Sequence, residues 1–176
     1  MKQSNELELQ AALQVASLMA AAARTAPKTR GIDNIKVIAI DDSVMKEKLM
    51  LTMRELAKAE NRPSFDRDAG CIANSPALVV VGVEANTSGL NCGYCGYPTC
   101  EGLEKANGVC SFNSIDLGIA TGSAASIAAD HRMDTRIMFS IGRACLAMKL
   151  FGPKVRQALG IPLSVTGKSP FFDRKS

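Results

Sequence analysis

The stretch ALVVVGVE, residues 77–84, carries four valines and no polar residue before Glu84. A strand with one wet face alternates apolar and polar residues, whereas a strand covered on both faces reads as a continuous apolar run. This run therefore predicts a central strand in a covered sheet. Upstream, NIKVIAIDD (residues 34–42) predicts a second strand, and Ser43 opens a helix through about Ala59 as a simple cap. Glu47 stands four residues on, one too many for a capping box. From Asn5 to about Ala23, Leu9, Leu13, Ala16 and Ala20 recur near four-residue spacing among alanines, the pattern of a helix that Pro27 ends. NRPSFDRDAG (residues 61–70) predicts a loop. Beyond the central run come a small-residue helix from about Ile115 to Ala129, a second from about Thr135 to Leu150, and a short helical turn before GIPLSV (residues 160–165). Helices separating apolar strands predict an α/β or α+β fold, and 176 residues suit one domain over 1–176.

Composition narrows the function classes. The net charge of +4 is spread among acids and bases, and only 5% of residues are aromatic, which argues against a nucleic-acid binder with a basic face and stacking rings. AALQVASLMAAAA (residues 11–23) follows Glu6 and Glu8 and is broken by Gln14 and Ser17, so it predicts a folded helix and not a leader. No apolar run reaches the roughly 20 residues that cross a bilayer. A cytoplasmic, reducing setting is expected, where six cysteines serve as thiols or metal ligands and not as disulfides.

Three of those cysteines fall in NCGYCGYPTCEGL, residues 91–103. With Cys110 they give the spacing C-x2-C-x4-C-x9-C, four soft ligands inside the segment 91–112. Cys92 and Cys95 can face one centre from a single turn. Gly93 and Gly96 follow two of the cysteines and leave backbone N–H groups free to approach cluster sulfides. An iron-sulfur cluster on Cys92, Cys95, Cys100 and Cys110 is the favoured reading. A structural zinc site is the competitor, although such sites more often show two C-x2-C pairs. Buried packing is the bland alternative, and it fits Cys145, which lies among Ile141, Leu146 and Met148. Cys71, between a glycine and the central run, is the substitute candidate for the fourth ligand. The x9 spacing requires KANGV (residues 105–109) to fold back.

The segment NCGYCGYPTCEG resembles the CGxCGxxxC ferredoxin-type motif that holds a [4Fe-4S] cluster in several anaerobic proteins. Together with IDLGIATGSAAS, DTRIMFSIGRA and IPLSVTGKSPFFDR it resembles a prokaryotic family of ferredoxin-domain proteins across nearly the whole chain. AAARTAPKTRG followed by IKVIAI, then IANSPALVVVGV and the C-terminal LGIP, resembles the FMN-dependent nitroreductases in order. That resemblance implies a nitroreductase-like covered sheet with surrounding helices, a cysteine-rich cluster-binding insertion after the second strand, and homodimerisation. It also implies an FMN site, for which Arg24, Lys28 and Arg30 are the cations able to take the phosphate. Lys28 stands where that family has serine, and neither its R-R-S segment nor its Asn-Gln-Pro-Trp stretch is found.

Other motifs carry less. TGKSP lacks the earlier glycine of a phosphate-binding loop, because Pro162 stands there without a backbone N–H. Lys168 and Arg174 read as charges on a C-terminal strand edge. His131, the only histidine, reads as a surface or capping residue. Asp116 and Asp134 read as helix caps or dipole partners. Gly118, Gly122, Ala125 and Ala129 form a small-residue face suited to close packing, against a flavin or a twofold partner as the sharper alternative. Tyr94 and Tyr97 flank the cysteines and can shield a cluster. Three functions follow: a [4Fe-4S] carrier passing single electrons to a flavin or a redox partner protein, an FMN oxidoreductase fed by the cluster, or a non-redox module with structural zinc.

Overall fold

The computed structural model describes residues 1–172. The apolar run becomes β2 (Leu78–Glu84), buried at every residue before Glu84. β1 (Ile35–Ile40) and β4 (Val155–Ser164) flank it, both antiparallel, and the two-residue β3 (Asp134–Thr135) completes the order β1-β2-β4-β3. Antiparallel pairing throughout makes the fold α+β. The period-2 alternation of β2 sorts the core into two layers. Val79, Val81 and Val83 join Ile161 and Leu163 beneath α1 (Ser4–Thr25) and α5 (Ser111–Asp130). Leu78 and Val80 join Ile40 and Ala158 beneath α2 (Ser43–Ala59), α3 (Pro63–Ile72) and α6 (Phe139–Ala147). Each buried valine contributes roughly 1.5–3 kcal/mol, so this strand anchors both layers.

Several local expectations shift. The buried stripe of α1 is Ala12, Val15, Ala16, Met19 and Ala23, while Leu9 is exposed. Small residues face inward because α5 packs alanine on alanine, with Ala120, Ala124 and Ala128 in the same core layer. The cap of α2 is Asp42, whose carboxylate accepts the Met45 N–H at 2.7 Å, and not Ser43. Residues 63–72 form α3 and not a loop, because Pro63 occupies the first helical turn, where its missing N–H costs nothing. The helix expected from Thr135 begins only at Phe139, since Thr135 pairs with Leu163 and Met138 bridges Gly160. Lys168 lies in a bend past the end of β4 and not on a strand edge, and Arg174 lies outside the described residues. His131 is the exposed C-cap of α5, in keeping with the capping reading.

Asp116 is no cap. Buried within α5, its carboxylate accepts the Thr29 N–H at 3.0 and 3.2 Å and the Thr29 hydroxyl at 2.9 Å, pinning the turn Thr29–Gly31 to the helix. Asp134 lies in β3 instead of at a helix start, with one carboxylate oxygen buried and unpartnered among the described residues. Asp116→Ala would leave two Thr29 donors without acceptors, so a loss of about 2 kcal/mol in urea unfolding is expected.

α6 meets β4 through two glycines. A Cβ on Gly142 would stand 1.8 Å from the Ala158 carbonyl oxygen, and one on Gly160 would stand 2.1 Å from Ile141 Cγ2. No helix is long and apolar enough to cross a membrane among the described residues.

Candidate iron-sulfur site

Past Glu84 the chain enters a loop turned by residues with left-handed backbone: Gly89 (φ 69°), Asn91 (φ 47°), Gly93 (φ 76°) and Gly96 (φ 84°). Glycine is required after Cys92 and Cys95 because a Cβ is strained at such φ. No atom lies within 4 Å of where a Cβ would stand on Gly93 or Gly96, so the space beside both is open. The Gly96 N–H donates to the Gly93 carbonyl at 2.9 Å, closing a tight turn that carries the C-x2-C pair.

Asn91 joins that turn to the third cysteine. Its side-chain oxygen accepts the Cys100 N–H at 2.7 Å, and its own N–H donates to Cys100 Sγ at 3.4 Å. Cys100 opens α4 (Cys100–Lys105), whose cap is Thr99, accepting the Gly102 N–H at 3.1 Å. The chain then reverses through Asn107 (φ 52°), with the Gly108 N–H on the Leu103 carbonyl at 3.0 Å. Leu103 is buried there, and a Cβ on Gly108 would stand 2.3 Å from its Cδ1. KANGV thus folds back against Leu103.

This reversal delivers Cys110 as the buried N-cap of α5, with Sγ 3.8 Å from Ser88 Oγ. Burial pushes its thiol up, but hydrogen bonds from the Ser88, Phe112 and Asn113 backbones and the Ser88 hydroxyl outweigh that and hold it below the ordinary cysteine range. The Tyr94 ring stacks on Phe112 at 5.6 Å and 16°, clasping the Cys92–Cys95 turn to the first turn of α5. Asn113 secures the other side, donating to the carbonyls of Glu84 and Asn86 at 3.1 and 2.9 Å.

All four cysteines of segment 91–112 therefore hang on one knot of chain between β2 and α5, and all are free thiols. Among the described residues no three His, Cys, Asp or Glu side chains stand together closely enough to hold a metal ion. The donors present are still those soft metals take: thiols, one already accepting a backbone N–H, beside glycines that leave room. Cys71 lies elsewhere. It precedes β2 while the knot follows it, and a seven-residue strand separates the two ends by about 23 Å. Cys145 is fully buried, and burial pushes its thiol up to about 12.

Arg24 and Lys28 converge on Asp33, while Arg30 is engaged by a different loop. Arg24 pairs with Asp33 and donates to the Ile35 carbonyl at 2.9 Å. Lys28, almost buried, caps the end of α1 by donating to the carbonyls of Ala23, Arg24 and Ala26 and lies 3.8 Å from Asp33. Arg30 turns away and donates to the Ser88 carbonyl at 2.8 Å, beside Cys110. Partial burial raises Asp33, but the Arg24 hydrogen bond, the Ile35 N–H and the two positive charges lower its carboxyl below the usual range. A lowered carboxyl stabilises the fold above its unfolded pKa and loses that contribution as pH falls through the folded value. Wild type should therefore exceed Asp33→Asn in urea midpoint at neutral pH, with the gap closing as the pH falls below the ordinary carboxylate range.

Asn91, Ser88 and Asn113 were not read from sequence as site residues. An asparagine directly before the first cysteine, a residue tolerant of left-handed φ, was the signal for Asn91; Ser88 and Asn113 act only through the fold.

Residues 106–174 match the family described as "Uncharacterized protein containing a ferredoxin domain (DUF2148)". A protein of Archaeoglobus fulgidus is 40% identical over 168 residues, covering 90% of this chain and 89% of its own. The chain belongs to this ferredoxin-domain family. The family match includes Cys110, and the archaeal likeness extends over nine tenths of the chain. Solved structures show the scaffold of this ferredoxin-domain protein to be the nitroreductase fold. A nitroreductase with bound FMN from Bacteroides fragilis superimposes at TM-score 0.64, 14% identical over 93% of this chain and 82% of its own. One from Desulfitobacterium hafniense, also with bound FMN, gives 0.62 at 16% identity over 96% and 80%.

Proposed function

We propose that this protein transfers electrons through one [4Fe-4S] cluster held by Cys92, Cys95, Cys100 and Cys110, in the segment 91–112 of a single domain. The observation that carries this reading is the Asn91 bridge, which ties the residue before Cys92 to both the backbone and the sulfur of Cys100. A bound cluster of this kind supplies one-electron chemistry. The chain contributes the environment. The Asn91 backbone N–H stabilises thiolate charge on Cys100, the open side of Gly93 and Gly96 admits close approach, and the Tyr94–Phe112 stack covers the turn. Cys110 is buried and Cys92 exposed, so the Cys92 side is where a redox partner has access. The reading sets the protein in a reducing, cytoplasmic compartment.

The test is anaerobic purification with iron, sulfide, zinc and flavin measured on one sample. About four irons and a broad brown absorption support the cluster; a colourless zinc protein would sink it and leave a structural module. Flavin in the same sample would favour the second reading, an FMN oxidoreductase fed by the cluster. What supports that reading is the FMN in the nitroreductases of the same fold. Of Arg24, Lys28 and Arg30, Arg30 is the one with no carboxylate partner among the described residues and is best placed for a flavin phosphate. A second copy fits the outer side of α5, where Ile115 and Ile119 are exposed and nothing lies within 4 Å of the Cβ positions of Gly118 and Gly122. Light scattering on the full chain tests the homodimer.

A further inference from the structure

A cleft of about 320 Å³ opens beside Cys110, between residues 85–87, the turn after α4 and the start of β4. Such a volume suits a small molecule. Lys154, in the turn before β4, and Arg156, two residues on in the strand, both line it. Neither has a carboxylate partner among the described residues. Arg156 is aimed by acceptors that carry no net charge, donating to the Asn107 carbonyl at 2.7 Å, the Asn107 side-chain oxygen at 2.8 Å and the Gly108 carbonyl at 3.5 Å. Lys154 is exposed, and its carbonyl accepts the Ala85 N–H at 2.8 Å, which fixes the opposite wall. Glu104 is the acidic residue of the lining, and its carboxylate is held by the Thr87 hydroxyl at 2.5 Å. An anchored guanidinium and an exposed ammonium thus share with one acid a concave site that Cys110 also lines.

We infer that this cleft binds the oxyanion group, phosphate or carboxylate, of a small molecule placed against the sulfur site. The inference takes its redox meaning from the electron-transfer reading, but binding itself depends only on Lys154 and Arg156. Lys154 is outside the proposed ligand set and, unlike Arg156, does not hold the reversal at Asn107 and Gly108 that carries Cys110, so its loss should leave iron content unchanged.

The experiment is calorimetric titration of inorganic phosphate into the full, anaerobically purified chain at constant ionic strength, repeated with acetate. One saturable site per chain is expected, weakened roughly tenfold in Lys154→Ala, with iron content equal to wild type. Arg156→Lys should weaken binding less, because it keeps the charge and loses the fork. A tighter phosphate than acetate isotherm assigns a phosphate group, and the reverse a carboxylate. Absence of saturable binding to either, or a Lys154→Ala isotherm indistinguishable from wild type, overturns the site. A chain that lacks iron yet binds phosphate through Lys154 sinks the electron-transfer reading and leaves the cleft standing. An iron-loaded chain that ignores both anions does the opposite.

Discussion

Gly142→Ala is expected to cost about 3 kcal/mol or more and to leave little folded protein at 37 °C. The added methyl would meet the Ala158 carbonyl oxygen at 1.8 Å, its carbon at 2.2 Å and the Leu159 nitrogen at 2.8 Å. These are backbone atoms of a strand paired along its length with β2, so relief requires α6 to move off the sheet. That movement would open the layer holding Ile141, Ala144 and Cys145. Urea unfolding followed by circular dichroism measures the loss. A midpoint within experimental error of wild type would mean that α6 and β4 are not in contact as described. Gly70→Ala is the control, since nothing lies within 4 Å of its Cβ position and it sits inside α3; a change near zero or a small gain is expected there.

The second large effect falls on iron. Cys95→Ser should drop the metal from about four irons per chain to less than one, because it removes one thiolate of the C-x2-C turn, while Cys71→Ser should retain all of it. The contrast depends on β2, which separates the two positions by its whole length. Metal analysis of both variants, with circular dichroism to show that each is folded, reads the result. Full iron in Cys95→Ser would remove that residue from the ligand set.

How much of this was legible from residues alone depends on the range over which each feature is determined. The central strand was readable because burial on both faces erases alternation, and the run Val79–Val80–Val81 displays that directly. Its antiparallel neighbours were not, because pairing β2 with β4 is settled across roughly 70 residues of intervening chain. α3 was hidden by composition: a proline, two aspartates and a glycine in ten residues look like a loop until Phe65, Ala69 and Ile72 are seen on one buried side. Of the four residues spaced along α1, Leu13 and Ala16 meet the core while Leu9 is exposed and Ala20 half-buried, since contact with an alanine-rich helix favours small side chains. At the candidate site, the cysteine spacing and the two turn glycines were legible, since both depend on local chemistry. Asp116 and Asn113 could not, since their partners lie 87 and up to 29 residues away.

The position of β4 also has a bearing on biosynthesis. While the ribosome is still extending the chain toward residue 155, β2 has β1 on one edge and nothing on the other, so an apolar ribbon with an open edge is displayed in the nascent chain. The cysteine knot is made inside that same interval. Its thiols therefore emerge before the strand that closes the sheet behind them.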